Sequence, residues 1–177
     1  MNYIYRISSL FNAKVKAKYV WWERKKKLPL WYQPDLLEKD YIYDLNIQTW
    51  KYWWDILFTS WFETLIKKSL YDKMVENWFV NWYKTFKVIN TVNWWPEYVG
   101  IVVIEDWWKV DEKYITYVEE TWWKSPIDFK WYNWIEKWND IFGLVNIPWK
   151  FISEKLHNFL QENADIWNVE FKQIECI

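Results

Sequence analysis

The sequence predicts an α+β fold, with amphipathic helices packed on a small, mostly antiparallel sheet and with N- and C-terminal extensions. Two observations predict it. Apolar residues recur at helical spacing between Trp50 and Trp82, and from Thr85 the period changes to short runs of β-branched and aromatic residues punctuated by turn signals. A helical region followed by a meander of strands gives one sheet face covered by helices. The 177 residues fall in the range of one domain. Its segments read as an extended arm (1–45), an α+β core (46–150), and a C-terminal helix and tail (151–177).

Taken in order, residues 1–22 carry Arg6, Lys14, Lys16 and Lys18 without an acid. That pattern suits a mitochondrial presequence, and equally a basic arm lying on a partner, the reading preferred here. From Trp21 to Asp40, Pro29, Pro34 and the run ERKKK at 23–27 describe an extended, irregular segment. Trp50, Trp53, Trp54, Leu57, Phe58, Trp61, Phe62 and Leu65 then draw one apolar stripe and predict a helix, with Asn46 or Thr49 as its cap and Lys67 and Lys68 near its end. A second stripe, Leu70, Met74, Trp78, Phe79 and Trp82, predicts another helix, with Ser69 as a break or cap between the two.

Strands are expected at 85–92, 98–105 and 113–119, and Gly100 marks a bulge or a close backbone approach. After Pro126 a short helix is expected to run to Phe142 and stop at Gly143. Phe151, Ile152, Lys155, Leu156, Phe159 and Leu160 predict a last helix, capped by Ser153 or begun after Pro148. Residues 163–177 carry no strong signal.

Composition narrows the function. With 23 basic and 24 acidic residues the net charge is −1, so the chain as a whole offers no electrostatic footprint for phosphate backbones. A single Cys176 excludes an internal disulfide and a cysteine metal cluster, and with one His157 the chain alone does not supply a usual zinc or iron-sulfur site. Charges interrupt every aromatic stretch, so no run approaches the ~20 apolar residues of a membrane span. His157 reads as a surface residue. Glu119 with Glu120, and Asp111 with Glu112, are adjacent pairs whose members point to opposite sides of a strand and so do not share a pocket. Neither GxGxxG nor a Walker pattern occurs, and two glycines are too few for a phosphate loop. The sequence shows no active site and implies no cofactor.

The 20 Trp and 2 Gly are unusual, and Trp stands where turns ordinarily want Gly, as in DWWK at 106–109. One account is genetic: in mitochondrial codes that read UGA as Trp, a single base change turns some glycine codons into tryptophan codons. The other is a lineage that tolerates aromatics.

The stretch Trp131 to Gly143, WYNWIEKWNDIFG, orders its charges and aromatics in a way that helix periodicity does not require. It resembles the block NWxERExWDxFG of the hydrophilic C-type subunit of respiratory complex I (NADH dehydrogenase subunit nine where mitochondria encode it). Asn133, Trp134, Glu136, Lys137, Asp140, Phe142 and Gly143 take the matching places if one residue is missing between Lys137 and Trp138. Upstream, FKVINTV at 86–92, YVGIVVI at 98–104 and KYITYVEET at 113–121 follow the family's order. Downstream, only Pro148 matches the family's HPDLRR run, and its GHPxRKDFP tail is absent.

The resemblance implies a non-catalytic scaffold on the matrix side of the mitochondrial inner membrane. Partner hydrophilic subunits of the quinone module would carry the iron-sulfur and ubiquinone chemistry. It implies interface roles for Glu136, Lys137 and Asp140, with Trp134 and Phe142 as anchors; Trp134 and Phe142 as plain core residues is the competing reading. WPEYVG at 95–100 and YIT at 114–116 faintly resemble the uS-nineteen family of small-subunit ribosomal proteins, whose basic elements are missing. A lineage-specific accessory subunit of a respiratory complex is a further alternative.

Overall fold

The computed structural model describes residues 3–9, 17–18, 42–47, 54–58, 64–79, 83–90, 96–103, 110–120, 123–129, 140–144 and 147–175. The chain is α+β, with two α-helices and three sheets among the described residues. The first sheet holds β10 (Ile141–Leu144), β11 (Ile147–Ser153), β1 (Tyr3–Ser9) and β12 (Val169–Glu175), in that order and all antiparallel. The second runs β2 (Ala17–Lys18), β3 (Ile42–Ile47), β6 (Tyr83–Asn90), β7 (Tyr98–Val103), β5 (Thr64–Lys67) and β4 (Ile56–Phe58), and only its β3–β6 pair is parallel. The third is the hairpin of β8 (Ile115–Glu120) and β9 (Trp123–Phe129).

Alternation along the first sheet explains the layers. Consecutive residues of a strand face opposite sides. Ile141 and Ile152 enter one core with Ile56, Ile66, Ile101 and Val103 of the second sheet. Their neighbours Phe142 and Phe151 enter another, with Ile4, Ile174, Val110 and Ile115. The first sheet is therefore covered on both faces, by the second sheet and both helices on one side and by the start of the β8–β9 hairpin on the other. Lys150 on β11 crosses between the two sheets to donate to the Thr64 hydroxyl at 2.7 Å.

Helix α1 (Lys68–Glu76) buries Leu70 and Met74, as the second stripe predicts, but it ends before Trp78 and Phe79, which that stripe places in the helix, and Trp82 lies outside the described residues. Ser69 lies inside this helix, and the residue before it, Lys67, makes no side-chain cap. Helix α2 (Glu154–Asn163) begins on Ser153, whose hydroxyl accepts from the Leu156 amide at 3.0 Å. Between them, β6, β7 and β8 occupy the three segments where strands are expected, with a 3-10 turn at Glu112–Tyr114 leading into β8. Gly100 is a close approach. A Cβ there would lie 2.1 Å from the Phe86 ring on the neighbouring strand.

Three expectations are corrected. Leu57, Phe58 and Leu65 belong to β4 and β5, not to a helix; the remaining positions of that stripe other than Trp54 lie outside the described residues. The chain reaches Phe142 and Gly143 as strand β10, so Gly143 ends no helix. Phe151 and Ile152 are strand, and α2 starts only after Ser153. Both termini also join the sheet. Tyr3–Ser9 of the 1–45 segment pairs with β11 and with β12, and the latter comes from the 163–177 stretch.

Candidate functional site

Of the residues singled out by the resemblance, Asn133, Trp134, Glu136 and Lys137 lie outside the described residues. Asp140 holds a structural junction. Its carbonyl accepts from the Ser153 amide at 3.0 Å and its carboxylate from the Ser153 hydroxyl at 2.7 Å, while the same hydroxyl caps α2. Phe142 is buried, with its ring stacked 5.6 Å from Phe151. Gly143 is buried opposite Lys150 in the β10–β11 ladder, and Pro148 lies in β11. The three residues brought together here, Asp140, Phe142 and Gly143, lie at one edge of the first sheet among the described residues and beside the start of α2. They touch neighbours within the chain.

His157 is more engaged than its place on the polar flank of α2 suggests. Its ring lies parallel to Tyr5, with 3.8 Å between centroids, and meets the edge of Phe171 at 4.9 Å. Helix α2 is thereby seated across β1 and β12. Burial, reinforced by the Glu154 charge, pushes the Tyr5 phenol up from its ordinary value. Among the described residues the ring nitrogens meet amides, Asn158 Oδ1 at 3.2 Å and Gln161 Nε2 at 3.5 Å. This geometry is packing rather than proton relay.

Of the acid pairs, Asp111 has local work. Asp111 accepts from the Lys113 amide at 3.2 Å to start the 3-10 turn, and pairs with the Lys113 ammonium at 2.9 Å. Glu119 and Glu120 stand opposite Lys124 and Trp123 in the β8–β9 ladder. Among the described residues, no group of three or more His, Cys, Asp or Glu is arranged to hold a metal. No helix among them is long and apolar enough to cross a membrane.

What the sequence reading missed is the surface at the C-terminal end of α2. A groove of about 390 Å³ is lined by Gln161, Ala164, Ile166, Trp167, Val169 and Phe171. Trp167 stands at its rim, 85% exposed. The strand that forms its floor, β12, is an edge of the first sheet among the described residues. The available signal was VEFKQIE at 169–175, a run of strand length in which the two buried residues, Val169 and Ile174, fall on opposite faces and so blur the alternation. No family model matches the chain, and no curated protein matches it.

Proposed function

We propose that this chain is a non-catalytic scaffold subunit of the matrix arm of mitochondrial NADH:ubiquinone oxidoreductase, within its quinone module. The observation that carries the reading is collinear order: FKVINTV, YVGIVVI, KYITYVEET and the WYNWIEKWNDIFG block follow one another as in the C-type subunit. The first three correspond to β6, β7 and β8, and β6 pairs with β7 directly. Its partners are the hydrophilic subunits that bear the iron-sulfur clusters and the quinone site, and its place is the matrix face of the inner membrane. Asp140, Phe142 and Gly143 serve this scaffold through the fold, as the edge strand and helix junction described above. Glu136, Lys137, Asn133 and Trp134 are the motif positions left for contact with a neighbour.

Mass spectrometry of the chain across a native separation of solubilised mitochondrial membranes tests the proposal, with NADH dehydrogenase activity stained in the same lanes. Co-migration with the active complex is expected. Migration with ribosomal RNA would sink the reading in favour of the uS-nineteen resemblance, and migration with another respiratory complex would favour an accessory subunit there.

A further inference from the structure

Residues 1–22 hold Arg6, Lys14, Lys16 and Lys18 and no acid, the composition of a targeting segment that is cut away after import. The fold uses the same stretch twice. Strand β1 lies inside the first sheet: Ile4 to Ile7 pair with Ser153 to Lys150 of β11, and Tyr3 to Ser9 pair with Glu175 to Val169 of β12. Strand β2 then joins the second sheet, with Ala17 opposite Ile47 and Lys18 opposite Asn46. Side chains of β1 serve both cores. Ile4 is buried with Phe142, Phe151 and Ile174, while Tyr5 and Ile7, on the other face, pack against the core that holds Leu156 and Leu160. Tyr5 also carries the His157 ring, and the Ser8 hydroxyl donates to Glu170 at 3.2 Å. Without β1, β11 and β12 lose the strand between them, which leaves backbone donors and acceptors unmade and a cavity where Ile4 stood.

On this placement we propose that residues 3–18 are a retained structural element and not a cleavable presequence. The basic N-terminal segment works as the strand that joins β11 to β12, and any leader removed from the chain ends before Tyr3. A chain that reaches the mitochondrial matrix does so with β1 still attached. Strand pairing alone carries this, whichever assembly the chain serves.

Mass spectrometry of the intact chain isolated from its source reads the N-terminus of the working protein. Tyr3 through Lys18 are expected to be present, and an N-terminus anywhere after Tyr3 would overturn the proposal. Hydrogen exchange of the full chain reads the strand itself. The β1 amides are expected to exchange within about tenfold of those of β11, since both belong to one cooperative sheet. Exchange of β1 at the rate of an unstructured chain would count against it. A chain beginning at Glu23 should lose the cooperative urea transition of the full chain, and an unchanged midpoint would equally sink the proposal.

Discussion

At the scale of single residues, Trp78 is the position among the described residues that departs from conformational ease. Helix α1 ends in a Schellman arrangement: the Phe79 amide reaches the Met74 carbonyl at 2.9 Å and the Trp78 amide reaches the Val75 carbonyl at 3.1 Å. Phe79 and Met74 both enter the core, as that motif's apolar contact requires. The residue at the left-handed position is Trp78, with φ 64° and 79% exposure. Glycine is the usual occupant there, because a side chain costs about 1–2 kcal/mol in that conformation. A ring this exposed gains little from burial in return. Trp78→Gly should therefore stabilise the fold by about 0.5–1 kcal/mol, the relief being partly offset by the freer unfolded chain. Urea unfolding measures it, and a lower midpoint would mean that the ring makes contacts worth more than the strain. A tryptophan at a glycine position is also the mark that exchange of glycine and UGA codons would leave.

At the scale of elements, legibility followed whether a segment has one buried face or two. Helix α2 was readable because Leu156 and Leu160 face the core while Lys155 and Asn158 face water, and because Ser153 is a good cap. The Trp50–Leu65 stripe misled because Ile56, Leu57, Leu65 and Ile66 are all buried, so short strands with both faces covered imitate a helical spacing. Strand β12 was hidden because its two buried residues, Val169 and Ile174, lie on opposite faces. Strand β10 was misread because the Gly143 after an aromatic run resembles a helix stop, whereas only its pairing with β11 decides otherwise. The motif was legible as a pattern, but Asp140 and Phe142 revealed their structural roles only through Ser153 and Phe151, both residues of β11. Because one hydroxyl both caps α2 and donates to Asp140, Ser153→Ala should cost about 1–2 kcal/mol. Asp140→Ala should cost less. The double variant should fall short of the sum of the two, since each single change already breaks their shared hydrogen bond. Strict additivity in urea unfolding would show that the junction does not act as a unit.

At the scale of the whole molecule, residues 54–56 tie the second sheet to the loop that leads into β12. Asp55 donates its amide to the Asp165 carbonyl at 3.1 Å, accepts the Asp165 amide on its carboxylate at 2.8 Å and pairs with Lys67 at 3.0 Å. The buried Asn168 side chain donates to the Ile56 carbonyl at 2.7 Å. Tyr98, the first residue of β7, closes the set by donating its hydroxyl to the Trp54 carbonyl at 2.8 Å. Burial first, and the Asp55 charge second, push the Tyr98 phenol well above its ordinary value of 10.0. Burial does the same to Tyr83, with Tyr71 adding to it. In both cases the folded state holds the proton more tightly than the unfolded chain. Their contribution is therefore complete below the unfolded value near 10 and is lost as pH rises from there toward the folded value. Stability should stay level with respect to these two groups up to about pH 10 and fall beyond it. Tyr98→Phe should cost about 1 kcal/mol at pH 8 by removing the bond to Trp54. Its disadvantage should shrink at pH 11, because a phenylalanine has no proton to lose. Urea unfolding of both chains across that range distinguishes this from a fixed gap: curves that remain parallel to pH 11 would show that Tyr98 does not take part in the alkaline loss.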